Sequence, residues 1–212
     1  MHVPDGFITP KLYLPAYAVS AGLWGIALRR FRARLDEETL PRLAATTALA
    51  FVLMAIALPL PGGTSAHATG IALLALLFGV WSSFLAISLV LLLQAVLFGE
   101  GGITSLPVNA LAMGLLGTSV AVLSFRLLRR IGEPVALFAA GWLALNVSAA
   151  ATALVLGVQP AIARSAEGTP LFFPFGPEVV LPAVLIPHAL LGVGEGLLTL
   201  FAYRIAKRVE NR

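Results

Sequence analysis

His2 stands beside the chain's amino terminus, and that pairing is a ready chelator for a metal cation. The Met1 amine, the His2 amide nitrogen and the His2 imidazole can close one five-membered and one six-membered ring around an ion. The amide ligates only after losing its proton, which calls for a strongly Lewis-acidic divalent metal. Three nitrogens in one plane leave a corner open, and tetragonal nitrogen sites suit Cu(II) or Ni(II). Another histidine would complete the square, and the chain has only two more, His67 and His188. The bulk of His2 is expected to keep Met1 in place, and no basic n-region with a clean cleavage site marks a signal peptide. A Met-His start also occurs without any metal role.

The elements that must position these groups are membrane helices. The chain has 212 residues, 59% hydrophobic and 11% charged, with mean hydropathy +0.95. Soluble domains carry about 25% charged residues, and apolar stretches of near-spanning length recur throughout, so an all-α polytopic membrane bundle is expected. Candidate helices run over 12–30, 43–60, 66–80, 82–98, 108–128, 135–157 and 179–206. Only Val80-Trp81-Ser82-Ser83 separates the third from the fourth, but a single helix over 66–98 would be far too long for a bilayer. The chain reads as one transmembrane substrate-binding domain, 1–212, with 1–11 as an external chelating segment. Without cysteine, disulfides, thiolate metal sites and thiol catalysis are excluded.

Charge placement orients the bundle. Seven spans with the N-terminus outside and the C-terminus cytoplasmic leave Lys11 and Arg164 outside and put every other Lys and Arg inside. That is the positive-inside bias. The net charge of +4 therefore marks membrane orientation rather than nucleic-acid binding. The inner loops hold no catalytic domain and no Gly-x-x-x-x-Gly-Lys-Ser/Thr phosphate loop, so any ATP chemistry belongs to a partner.

His67 falls on the same outer side as His2, at the start of the third helix, among small residues that permit close approach. It is either the fourth ligand or an incidental histidine in a capping loop. His188 and Glu195, seven residues apart in the last helix, share one face; structure or partner coupling is the favoured reading over metal ligation. Asp5 and Glu100 could accept hydrogen bonds from a ligating imidazole, or stand in a turn and a solvated loop. Ser65 and Asn109 are further candidates for supporting the ligands. Ala18 with Gly22 and Ala21 with Gly25 have the small-residue spacing that admits close helix contact, with a partner or within the chain.

Taken together, these segments resemble the CbiM/NikM family, the substrate-capture subunits of energy-coupling factor (ECF) transporters for cobalt and nickel. The resemblance covers nearly the whole chain. It rests on Met1-His2-Val3-Pro4-Asp5-Gly6-Phe7, Gly63-Thr64-Ser65-Ala66-His67, Gln94 to Gly114 and His188 to Gly196. It implies an ion held by the Met1 amine, the His2 amide and imidazole, and the His67 imidazole. It also implies a transmembrane coupling (T) subunit, a cytoplasmic ATPase pair, and a small accessory membrane subunit encoded separately. The expected setting is a prokaryotic plasma or inner membrane. The protein would be no enzyme and need no cofactor, with Ni2+ or Co2+ as transported ligand. Ni(II) is favoured, since it suits a planar four-nitrogen site and lies above Co(II) in the affinity order.

Two other functions compete. An intramembrane hydrolase would need Ser65 or Ser105 within hydrogen-bond reach of His188. A stand-alone secondary carrier of another small solute would use Glu195 or His188 as its ion-coupling site.

Overall fold

The computed structural model describes residues 2–33, 36–60 and 64–210. Helix α1 (Pro10–Arg32) starts with Pro in its first turn, where no intrahelical N–H is lost, and ends on Arg29, Arg30 and Arg32. Helix α2 (Thr39–Ala55) follows. Strands β1 (Leu58–Leu60) and β2 (Thr64–Ala66) then pair antiparallel, Leu58 opposite Ala66. Helix α3 (Ile71–Phe98) leads to α4 (Leu106–Leu128), α5 (Glu133–Gly157), the single turn α6 (Gln159–Ile162) and α7 (Pro177–Glu210). Four stretches are long and apolar enough to cross a membrane: Ile71–Phe98, Leu106–Leu128, Glu133–Ile162 and Pro177–Val209. The protein is a membrane-type helical bundle.

Two expected boundaries are corrected. The helix predicted over 43–60 stops at Ala55, and Leu58–Leu60 is strand. The helix predicted from residue 66 starts at Ile71, so His67 lies in a loop after β2 rather than at a helix start. Fold-back between the third and fourth predicted helices does occur, at Gly79 (φ 77°, ψ 169°) rather than at 80–83. Contacts with α4 demonstrate it. Ile71 Cγ2 lies 3.4 Å from where Gly117 would carry a Cβ, and Phe84 Cδ2 lies 3.0 Å from the same point at Gly114. Along a straight helix Ile71 and Phe84 would be about 20 Å apart, whereas Gly114 and Gly117 are about 4.5 Å apart. The two arms of α3 therefore meet at a sharp bend.

Within α4 the stretch Ala110–Gly117 is π-helical, a widening common near functional sites. Helix α7 packs along α5, where Gly141 and Gly196 admit the close approach of the facing helix. The arginines that close α1, α4 and α7 gather at one end of the bundle. There Arg30 stacks over Trp81 at 4.7 Å, just past the Gly79 fold-back, and Phe125 of α4 meets Tyr203 of α7. His2 and His67 lie at the other end.

A candidate metal site between the N-terminal segment and the His67 loop

Residues 2–9 are packed into the bundle. Val3, Ile8, His2 and Thr9 are all buried. The segment is held by backbone pairing to side chains far along the chain. Asn109 clasps Val3 from both sides, Oδ1 accepting from Val3 N at 3.0 Å and Nδ2 donating to Val3 O at 3.1 Å. Ser105 Oγ also donates to Val3 O. Gln159 Oε1 accepts from Thr9 N at 2.9 Å, and Phe173 N donates to Phe7 O at 3.4 Å. Asn109 was a sequence candidate. Gln159 and Phe173 were not, and only an amide so close to an apolar helix end hinted at the first.

Asp5 does not orient an imidazole. Its carboxylate accepts from Ile103 N at 3.1 Å, Thr104 N at 2.8 Å and Thr104 Oγ1 at 2.5 Å. Partial burial alone would raise its pKa, but these hydrogen bonds outweigh burial and hold it below the usual carboxylate range. Asp5 thus ties the N-terminal segment to the loop before α4. A Cβ at Gly102 would collide with this carboxylate. Gly102→Ala should therefore displace the segment and lower metal affinity by roughly 10–100-fold, the loss typical of groups that support ligands; titration calorimetry against the unaltered protein checks it.

His2 meets His67 with ring centroids 4.5 Å apart and planes inclined by 30°. Both are at most 3% exposed. His67 Nδ1 faces Ala68 O at 3.1 Å and serves as its donor, which leaves an unprotonated Nε2 with no hydrogen-bond partner. Neither ring nitrogen of His2 has a hydrogen-bond partner. Burial and the adjacent positive terminus lower the His2 pKa to about 3. Burial, then the nearby His2 and terminal charge, hold His67 well below its ordinary value. Both rings are neutral at physiological pH, the form that binds metal. Metal entry thus need not strip protons from the imidazoles.

The other candidates fall into distinct places. Glu100 Oε2 stands 3.8 Å from His2 Nδ1, the nitrogen the chelate would use, so it does not brace the ring from behind. Glu195 is buried and holds the His67 loop: Oε2 accepts from Thr69 N at 2.7 Å, and Oε1 from Thr69 Oγ1 at 2.9 Å and Gly70 N at 2.7 Å. These bonds satisfy amides at the start of α3, where a helix leaves its donors unpaired. His188 Nδ1 lies 2.7 Å from Val184 O. Ser65 pairs through its backbone with Pro59; its side chain and Met1 lie outside the described residues. Ala18, Ala21, Gly22 and Gly25 form an exposed face of α1, and a Cβ on either glycine would meet nothing within 4 Å.

A helical membrane bundle with paired, neutral, unpartnered imidazoles sealed at one end has the architecture of a transition-metal transport protein. The chain belongs to the CbiM family, whose profile, described as "Cobalt uptake substrate-specific transmembrane region", matches residues 2–212. It is 38% identical over 99% of its length to the probable fused nickel transport protein LarMN of Lactiplantibacillus plantarum. It is 37% identical over 94% of its length to the fused nickel transport protein NikMN of Rhodobacter capsulatus. It spans 65% and 59% of those relatives' own lengths. A crystal structure of a truncated transition metal transporter superposes with TM-score 0.93 at 33% identity, covering 98% of this chain and 99% of that one. The family and these relatives are metal transport proteins, not enzymes. Ser105 fits that: its hydroxyl donates to the Val3 and Gly102 carbonyls instead of facing a base.

Proposed function

We propose that the protein is the substrate-specific membrane subunit of an ECF-type importer and captures Ni2+, in preference to Co2+, from the outer side. The Met1 amine, the deprotonated His2 amide, His2 Nδ1 and His67 Nε2 form a planar set of four nitrogens. One observation carries this reading: two buried imidazoles, His2 in the N-terminal segment and His67 in the loop after β2, face one another, neutral and with unpartnered nitrogens. Residues 1–11 act as the chelating segment of a single transmembrane domain. Asn109, Asp5 and Ser105 fix the segment, and Glu195 fixes the loop that carries His67.

Seven crossings are proposed, with the N-terminus outside and the C-terminus cytoplasmic. The clustering of arginines away from the histidines supports the orientation. The bilayer is a prokaryotic plasma or inner membrane. ATP-driven uptake then requires a T subunit, an ATPase pair and a small accessory membrane subunit; the fused character of two relatives favours such company. The exposed small-residue face of α1 is available to the T subunit.

The test is the colour and magnetism of the nickel complex, measured on protein with an untagged N-terminus. One Ni(II) per chain in a yellow, diamagnetic complex is expected, with proton release on binding. A pale green, paramagnetic complex formed without proton release would exclude the amide nitrogen, and with it the planar set.

A further inference from the structure

Glu100 lies against the metal site without holding any part of it. Its Oε2 stands 3.8 Å from His2 Nδ1, is itself buried, and has no hydrogen-bond partner. The rest of the side chain reaches outward: it is 33% exposed, against 3% for His2. One carboxylate thus touches both solvent and the sealed ring. In the chelate His2 Nδ1 carries a lone pair, so two acceptor atoms face each other with no donor between them. Burying a carboxylate oxygen in that position costs stability, and a cation passing between the two atoms relieves the cost.

The loop that carries Glu100 covers His2. At one end Glu100 N donates to Gln94 O at 3.2 Å, which ties the loop to the last turns of α3. At the other, Asp5 accepts from Ile103 N and Thr104 N. Between these anchors Gly99 (φ 68°) and Gly101 (φ 76°) flank Glu100 in the left-handed conformation that glycine adopts without strain. Gly101 lies directly over the ligand, since a Cβ there would stand 3.4 Å from His2 Cβ. A divalent ion bonded at roughly 2.0–2.2 Å to one nitrogen and one oxygen bridges atoms about 3–4 Å apart. Such an ion fits between Oε2 and Nδ1 with little movement of either residue. Among the described residues no three His, Cys, Asp or Glu side chains form a group able to hold an ion. Glu100 is therefore placed for a step on the way in, outside the final set.

We propose that Glu100 passes the incoming divalent ion from solvent to His2 and is the entry residue of the metal site. This rests on the chelate reading above, in which His2 Nδ1 ligates. At the exposed edge of the carboxylate the hydrated ion exchanges one water for a carboxylate oxygen. The ion then bridges Oε2 and Nδ1. As the plane closes, the Met1 amine, the His2 amide and His67 Nε2 replace the remaining waters and the carboxylate, and the amide proton leaves to solvent. No bond to Glu100 survives in the closed plane. A residue with that role lowers the barrier in both directions, so it speeds entry and exit alike and leaves the affinity alone.

The experiment is stopped-flow Ni(II) binding to untagged protein, with release followed after adding excess chelator, on the unaltered chain, Glu100→Gln and Glu178→Gln. Glu178 is an exposed carboxylate in the first turn of α7 and serves as the control. Glu100→Gln should slow association and release alike, each about tenfold or more, and hold the affinity within about threefold. Glu178→Gln should change neither rate. A nickel complex of unchanged colour in Glu100→Gln reports an intact site. Faster release with unchanged association would make Glu100 a ligand of the resting ion, and slower association with unchanged release would reduce it to an attracting charge. Unchanged rates, or equal slowing in Glu178→Gln, would give its position no part in entry. Each of these four results overturns the proposal. The planar reading fails separately, by a pale, paramagnetic nickel complex in the unaltered protein whatever the rates.

Discussion

An N-terminal extension of several residues will abolish tight nickel binding and leave the helical bundle intact. The extension converts the Met1 amine into an amide and moves the new amine out of reach of the His2 ring. A single added residue does not serve, because an amine two residues before a histidine closes a planar four-nitrogen chelate of its own. One chelate ring then opens, and the remaining nitrogens no longer hold the ion in a plane. We expect affinity to fall by more than about a thousandfold, equivalent to roughly 4 kcal/mol. Membrane insertion and thermal stability without metal should change little, because the contacts of Val3, Asp5 and Thr9 begin after His2. Calorimetry on tagged and untagged protein, with helical content followed by circular dichroism, is the measurement. A tagged terminus with undiminished nickel affinity would remove both Met1 and the His2 amide from the site.

Replacing His67 with Ala should cost more than the roughly 10–100-fold typical of a supporting group, since it removes a donor to the ion itself. It also exposes the origin of the pH dependence. His2 titrates near 3 in the packed protein and His67 well below its usual value, against about 6.5 for a free ring. Their contribution to holding the segment in place is fully present above about pH 6.5. Below that the undocked segment takes up protons that the docked one refuses, and docking weakens as pH falls towards 3. Nickel affinity should decline over this window, by up to about tenfold per pH unit for each ring. At neutral pH, proton release must come from the amine and the amide, because both rings are already neutral. In His67→Ala the acid-side decline should become shallower, with only His2 left to titrate. An unchanged slope would mean that the second ring does not govern docking.

The sequence announced this protein unevenly. Helices over 12–30, 108–128, 135–157 and 179–206 were legible to within a few residues because long apolar runs flanked by arginines admit one reading. The β1–β2 pair was not, since its residues are as apolar as the helix before it. Gly79 was missed as the fold-back point because Trp81, Ser82 and Ser83 offer a more polar break nearby, whereas the actual requirement is a left-handed φ that glycine tolerates. The meeting of His2 and His67 was anticipated from chemistry and topology. Glu195 was read as a structural or partner-coupling acid on one face with His188; its hydrogen-bond partners at Thr69 and Gly70 lie more than a hundred positions away and could not be seen from the residue pattern. Asp5 was placed in the right neighbourhood and given the wrong partner, because backbone amides leave no trace in a residue pattern.

The clasp on the N-terminal segment also sets an order of assembly. Val3 waits for Asn109, 106 positions later, and Thr9 for Gln159, 150 positions later. Residues made well before their partners are thus among the last to find their places. While synthesis proceeds they must stay soluble and unpaired, and closing so long a loop is slow. Metal capture is consequently a property of the finished chain: a nascent protein that has not yet produced residue 159 carries both histidines and still lacks the frame that brings them together.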